Sequence, residues 1–238
     1  MKRFLPILFF TLIFAHEPKT ELPDWKNYYR LGTVNVQFNN LGIASYARLK
    51  RTTSHTFQDI RFYGHFFEKD QEIRIRQKTS RRYMSCDKFY SYTTLIYEKN
   101  TFIDVDLRYH YNQGLGWLIQ NKESGNMTTE IGFAFDNSDY LNTEQKTSYA
   151  RGGFTVDQKI GTFETKIEFE YFQQISEKNE NTDLSRFQIL GEIQYSFKKG
   201  MSLVCGLTQD IPKEKPFNFE TASVFITIAL NRPLNWTF

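Results

Sequence analysis

His110 is preceded at alternate positions by Arg108, Asp106 and Asp104. Alternate residues of an extended strand share one face. An imidazole, a guanidinium and two carboxylates would therefore stand in a row. Such a row can move protons or hold an ion. It can also be a hydrated set of charges paired with neighbouring strands, which is the reading the spacing favours. A second row is Glu164, Lys166, Glu168 and Glu170. It could line a cation-favouring path, since rings of charge set selectivity in channels, or be neutralised by bases such as Arg151 and Arg186. Glu130 and Glu192 occupy the corresponding face of further segments. Other chemistry is thinly represented. No nucleophile elbow, phosphate-binding loop or zinc motif occurs. His16, His55, His65 and His110 are scattered, and Cys86 and Cys205 lie far apart. Neither a metal nor a cofactor is expected, and the chain reads as a non-enzyme. Net charge is +3 with both signs interspersed, and no basic block of the nucleic-acid-binding kind is present.

The elements that carry these rows alternate with period two. The longest run is 102–119. Ile103, Val105, Leu107, Tyr109, Tyr111, Leu115, Trp117 and Ile119 fall on one side, broken only by Gln113, and the charged row with Asn112, Gly114 and Gly116 falls on the other. The pattern returns around 127–136, 149–157, 163–171, 186–197, 201–208 and 222–230. Each segment sets an apolar, often aromatic face against a charged or small one. A soluble sandwich can show this with a wet outer face. Repeated over so many segments, it is the dyad of a barrel with lipid outside and a polar lumen inside. Strands at 29–38, 41–51, 57–67, 71–79 and 88–98 are expected in the first half and would add Arg48, Lys50, Arg61, Arg74 and Arg76 to the polar face. The reading is all-β: a closed antiparallel up-and-down transmembrane barrel of twelve strands, with ten or fourteen as alternatives.

The N-terminus supports export. Lys2 and Arg3 precede an apolar run from Phe4 to Ala15, the form of a secretory signal peptide. We expect a signal over 1–15, a short periplasmic segment over 16–28, and the barrel over 29–238. After residue 15 no apolar stretch reaches the roughly 20 residues of a spanning helix, so any membrane crossing must be by strands. Counting back from a periplasmic C-terminus gives long polar outer loops at 138–146, 174–184 and 212–218 and short inner turns near Gly161 and Gly200. In the first half 80–87 is expected as a long inner turn. Tyr109, Tyr111, Trp117, Tyr195, Trp236 and Phe238 are candidates for aromatic girdles at the membrane interfaces. Cys205 has the parity of a lipid-facing residue. A terminal aromatic at Phe238 suggests barrel-assembly machinery as a partner for the last strand. Pro233 lacks a donor N–H and is expected to end that strand near Leu230.

The stretches Tyr97-Glu98-Lys99-Asn100-Thr101-Phe102, Asp106-Leu107-Arg108-Tyr109 and Gly114-Leu115-Gly116-Trp117-Leu118-Ile119 resemble the core of the bacterial salt-induced outer-membrane protein family, whose domain is of unknown function. Glu130-Ile131-Gly132-Phe133 and Asp210-Ile211-Pro212 fit its later strands, and the resemblance spans roughly 30 to 230. It implies an outer-membrane barrel surrounded by outer-membrane lipid; it implies no reaction. The expectation is a structural or stress-response barrel or a narrow passive channel for small solutes or ions. A lipid-modifying outer-membrane enzyme and a soluble secreted β-sandwich binding protein are the alternatives.

Overall fold

The structure, a computed structural model, describes residues 25–36, 40–83, 86–101, 105–122, 124–138, 145–176, 183–214 and 222–233. The proposed signal, Asp104, Trp236 and Phe238 lie outside these residues. Twelve strands follow one another: β1 (Lys26–Val36), β2 (Asn40–Thr52), β3 (Thr56–Phe66), β4 (Gln71–Tyr83), β5 (Cys86–Asn100), β6 (Val105–Lys122), β7 (Gly125–Ser138), β8 (Gln145–Ile160), β9 (Phe163–Gln174), β10 (Arg186–Lys198), β11 (Met201–Pro212) and β12 (Ser223–Pro233). Each pairs antiparallel with its sequence neighbours, and β1 pairs with β12 from Lys26↔Pro233 to Val36↔Ser223, closing the barrel. Closure leaves no edge, so every strand has a partner on both sides, the condition for β-structure in lipid. It also rules out the soluble two-sheet sandwich.

The alternation explains which way the wall faces. Leu31, Ile131, Ile167 and Ile193 are each more than half exposed, whereas Arg61, His110, Glu130, Arg151 and Arg186 are buried. A water-soluble protein would reverse that distribution. Strand ends place two rings of aromatic pairs on the outer surface. Tyr97–Tyr109, Tyr111–Phe135 and Tyr171–Phe187 lie toward one rim, and Phe89–Trp117 and Phe163–Tyr195 toward the other. From Tyr109 to Trp117 is eight residues along β6, or about 20 Å of height for a strand tilted near 40°. That spacing fits the apolar band of an outer-membrane barrel, about 25 Å tall.

Three details differ from the sequence expectation. Residues 80–87 form no long turn. Strands β4 and β5 run on to Tyr83 and from Cys86, so every connection at that rim spans two or three residues, with positive φ at Gly161 and Gly200. At the opposite rim the connections lengthen to 175–185 and 213–222. The parity of the 102–119 run fails at its start, because the β5–β6 register shifts between Glu98 and Asn100. Val105 is thereby buried and Asp106 turned outward, where it pairs with Lys99 at 3.2 Å. Finally, Pro233 sits within the last pair of β12 instead of cutting the strand at Leu230. A proline is tolerated there because it ends the ladder.

The barrel is not round. Twelve strands about 4.8 Å apart and tilted near 40° would make a circle about 24 Å across. Strands β3 and β9 stand six places apart, on opposite walls. Yet Arg61 of β3 meets Glu168 of β9 at 3.1 Å, and an extended Arg–Glu pair spans only about 15 Å between Cα atoms. The cross-section is therefore an oval with its short axis from β3 to β9. Its ends fall at β6–β7 and β12–β1, where glycines stand. Gly114 faces Gly132 across β6 and β7. A Cβ on either residue would collide with the other strand's backbone, and one on Gly32 would strike the Ile226 carbonyl of β12. The wall bends sharply at these points because no inward Cβ is there to resist.

Candidate functional site: the ion-paired lumen

Period-two alternation delivers a charged side chain to the lumen every second residue, and the oval brings opposite walls within reach. Around mid-height, Glu168 accepts from Lys166 at 2.6 Å and from Arg61 at 3.1 Å, and lies 3.6 Å from Arg76. Arg61 also binds Asp59 at 2.6 Å, and Asp59 takes Arg48 at 2.6 Å. Glu170 bridges Arg151 at 2.6 Å and Arg76 at 3.5 Å. Glu130 joins Lys78, Arg151 at 3.1 Å and the Tyr90 hydroxyl at 2.8 Å. The Tyr92 hydroxyl accepts from Arg151 at 2.7 Å. This belt ties β2, β3 and β4 to β7, β8 and β9. Its charges are unevenly shared. The β2–β4 wall carries an excess of bases (Arg48, Arg61, Arg76 and Lys78 against Asp59), and the facing wall an excess of acids (Glu130, Glu168 and Glu170 against Arg151 and Lys166). The net attraction across the lumen draws the walls together.

A second tier lies nearer the rim with the long connections. Glu98 pairs with Arg74 at 3.2 Å and Arg108 at 3.6 Å. Asp136 binds His110 and Arg186, the latter at 3.0 Å. The His110 ring meets Phe172 edge-on at 5.1 Å. His65 of β3 bonds Glu72 at 2.8 Å. At the β12–β1 end the lumen is filled differently. Val34, Val36, Ala44, Val204, Phe225 and Ala229 form an apolar cluster. Arg30 covers it, its guanidinium 4.0 Å from the Tyr46 ring centre and 2.7 Å from Glu192.

Of the residues singled out from sequence, Arg108, His110, Glu130, Lys166, Glu168, Glu170, Arg186 and Glu192 stand in these ion pairs. Glu164 sits at the short-turn rim beside Lys159, and Asp106 faces outward. The expected row of Asp104, Asp106, Arg108 and His110 is not a unit: His110 finds its carboxylate on β7, in Asp136. Asp59, Glu72, Lys78, Glu98, Asp136 and Asp210 were not singled out, although the alternation 72-74-76-78 and the pair 59-61 carry the signal. Tyr109 and Tyr111 lie in one aromatic ring and Trp117 and Tyr195 in the other. Cys86 and Cys205 are free and exposed.

Solved structures share this barrel fold. A NanC porin structure superposes with a TM-score of 0.53 over 87% of this chain and 100% of its own, at 11% identity. The fold is that of an outer-membrane porin. A KdgM porin in complex with disordered oligogalacturonate matches at a TM-score of 0.50 and 9% identity, covering 87% of this chain and 98% of that one. An outer membrane channel from Pseudomonas putida F1 matches at 0.50 and 8% identity, covering 91% and 99%. A family model described as protein of unknown function, DUF481, matches residues 44–160, from within β2 to the end of β8; its description makes no reference to salt. No curated protein sequence matches.

Proposed function

We propose that the protein is a passive barrel of low permeability in the bacterial outer membrane, admitting small ions past a constriction of ion pairs and working without catalysis. The observation that carries this reading is the Arg61–Glu168 contact between opposite walls. A pair that spans the lumen leaves no wide aqueous bore at that height, and the apolar cluster fills the β12–β1 end. The apolar outer band between two aromatic rings supports a site among outer-membrane lipids, and insertion through the barrel-assembly machinery belongs to the same reading. A lipid-modifying enzyme would need a histidine with a hydroxyl on the lipid side. His65 and His110 instead point inward and are held by Glu72 and Asp136, and the exposed His55 lies in the β2–β3 turn at the rim with the short connections, away from the outer leaflet. Planar-bilayer recording on the purified protein tests the proposal. Small steps are expected from the native chain, with larger steps when Glu168 and Glu170 are both replaced by Ala. Native conductance equal to that of a wide porin would overturn it.

A further inference from the structure

Midway between the two aromatic rings the outer surface should be apolar, and on β9–β10 it is. The pairs Phe163↔Tyr195 and Tyr171↔Phe187 bracket Ile167↔Gly191, four residues from each. The same frame on β5–β6 gives a different result. There Phe89↔Trp117 and Tyr97↔Tyr109 bracket Thr93↔Gln113, again four residues from each. A hydroxyl and an amide thus occupy the middle of the lipid-facing band. They do not stand alone. Thr79 of β4 pairs with Thr93, and Gln77 and Ser91 flank the row on the same outer face. Gln113 and Thr79 are exposed. The Gln113 carbonyl accepts from the Tyr111 hydroxyl at 2.8 Å, which leaves the amide donors without a partner among the described residues. Beside the row a groove of about 350 Å³ opens between Tyr83, Ser91, Gln113, Leu115, Phe133 and Phe135.

We infer that this face, centred on Thr93 and Gln113, is where a second copy of the chain docks within the membrane. Unpaired amide donors are costly in hydrocarbon, and acyl chains offer them nothing. Lipid headgroups do not reach this depth. Thr79, Thr93 and Gln113 are uncharged; the charge on this outer face between the rings is Arg81, which pairs with Ser91 nearer the rim with the short connections, where its long side chain reaches the headgroups. Amides and hydroxyls are both donor and acceptor, so the row complements itself. Two copies inserted with the same orientation can be related only by a two-fold axis along the membrane normal. Under that symmetry a mid-depth residue meets its own counterpart, as an isologous contact requires. The groove can take a side chain from the partner. Up to the bend at β6–β7, the face from β3 to β6 projects on the order of 400 Å² between the rings, about half of the about 800 Å² that a standard interface takes from each partner, and the groove walls of Phe133 and Phe135 add to it. The inference rests on the barrel lying in a bilayer and is independent of what passes through its lumen.

Sedimentation equilibrium of the full chain in density-matched detergent tests it, with heat-modifiable gel mobility reporting that each variant is folded. The native chain is expected to dimerise. Thr93→Val with Gln113→Leu, which removes the cross-interface hydrogen bonds, is expected to weaken the dimer about tenfold. In a Cys86→Ser, Cys205→Ser background, Gln113→Cys should form an intermolecular disulfide in native membranes treated with copper phenanthroline as oxidant, and Ile167→Cys on the opposite face should not. This arm decides the matter if the double variant fails to fold. A native monomer at all concentrations, a dimer indifferent to the double variant, equal cross-linking at 113 and 167, or cross-linking of Gln113→Cys only to a different protein would each overturn the inference. Loss of heat-modifiable mobility in the native chain would instead remove the membrane-barrel reading beneath it.

Discussion

Replacing Glu168 with Ala removes the carboxylate on which the mid-height belt converges. Its three cations fare differently. Arg61 keeps Asp59 at 2.6 Å and Arg76 keeps Glu170 at 3.5 Å, while Lys166 loses its ion pair. Exposed pairs contribute about 0–1 kcal/mol, and breaking a fully buried pair costs about 3–5 kcal/mol. These side chains retain between 7% and 15% of their exposure, so the expected loss lies between those limits, about 2 kcal/mol. The lumen also gains one unit of positive charge where the walls are nearest. An unpaired unit charge acts on an ion passing at about 4 Å by about 1 kcal/mol even at the dielectric constant of water, with opposite sign for anions and cations. After partial screening, the permeability ratio should move toward anions by about fivefold. Planar-bilayer recording across a potassium chloride gradient reads both consequences: larger unitary steps and a reversal potential displaced toward chloride. Unchanged conductance with an unchanged reversal potential would show that ions do not pass this belt, and the constriction argument would fail.

Further outcomes follow from other parts of the barrel. Gly114→Val places a side chain against the backbone of β7 and should destabilise the barrel by about 3 kcal/mol, seen as a lower urea midpoint in lipid vesicles. Ile167→Arg puts a charge at mid-depth on the lipid face and should cost about 2–4 kcal/mol by the same assay; no loss there would argue against a lipid-facing β9. Raising salt from 0.1 to 1 M shortens the screening length from about 10 to about 3 Å, so the temperature at which gel mobility shifts should fall, and fall less in Glu168→Ala than in the native chain.

The outer face was legible from sequence because it obeys one rule. Outside the Thr93–Gln113 row, lipid favours an apolar side chain at every second position, so Ile167, Phe169 and Tyr171 betray their orientation without reference to any neighbour. The lumen has no such rule. A charged residue there is satisfied by whatever the opposite wall supplies, and the partner of Arg61 is more than a hundred positions away, at Glu168. The choice depends on the barrel's cross-section, which depends in turn on glycines whose role appears only once β6 faces β7 and β1 faces β12. The misplaced Asp106 has a local cause: a single register shift beside Asn100 reverses parity for the residues before Leu107. The apolar cluster under Arg30 was hidden because Val34, Val36 and Phe225 put apolar residues on the inner face too, where alternation leads one to expect polar or small ones.

The glycine ends of the oval have a consequence in plain geometry. The perimeter of the barrel is fixed by its twelve paired strands, and a closed curve of given perimeter encloses the greatest area as a circle. A flattened barrel therefore holds area in reserve. Its bore can widen with every backbone hydrogen bond intact, by bending at Gly32, Gly114 and Gly132 and letting the long walls bow outward. The ion pairs across the short axis act as tie rods: they set the gap, while the strand ladder carries the load and is indifferent to it.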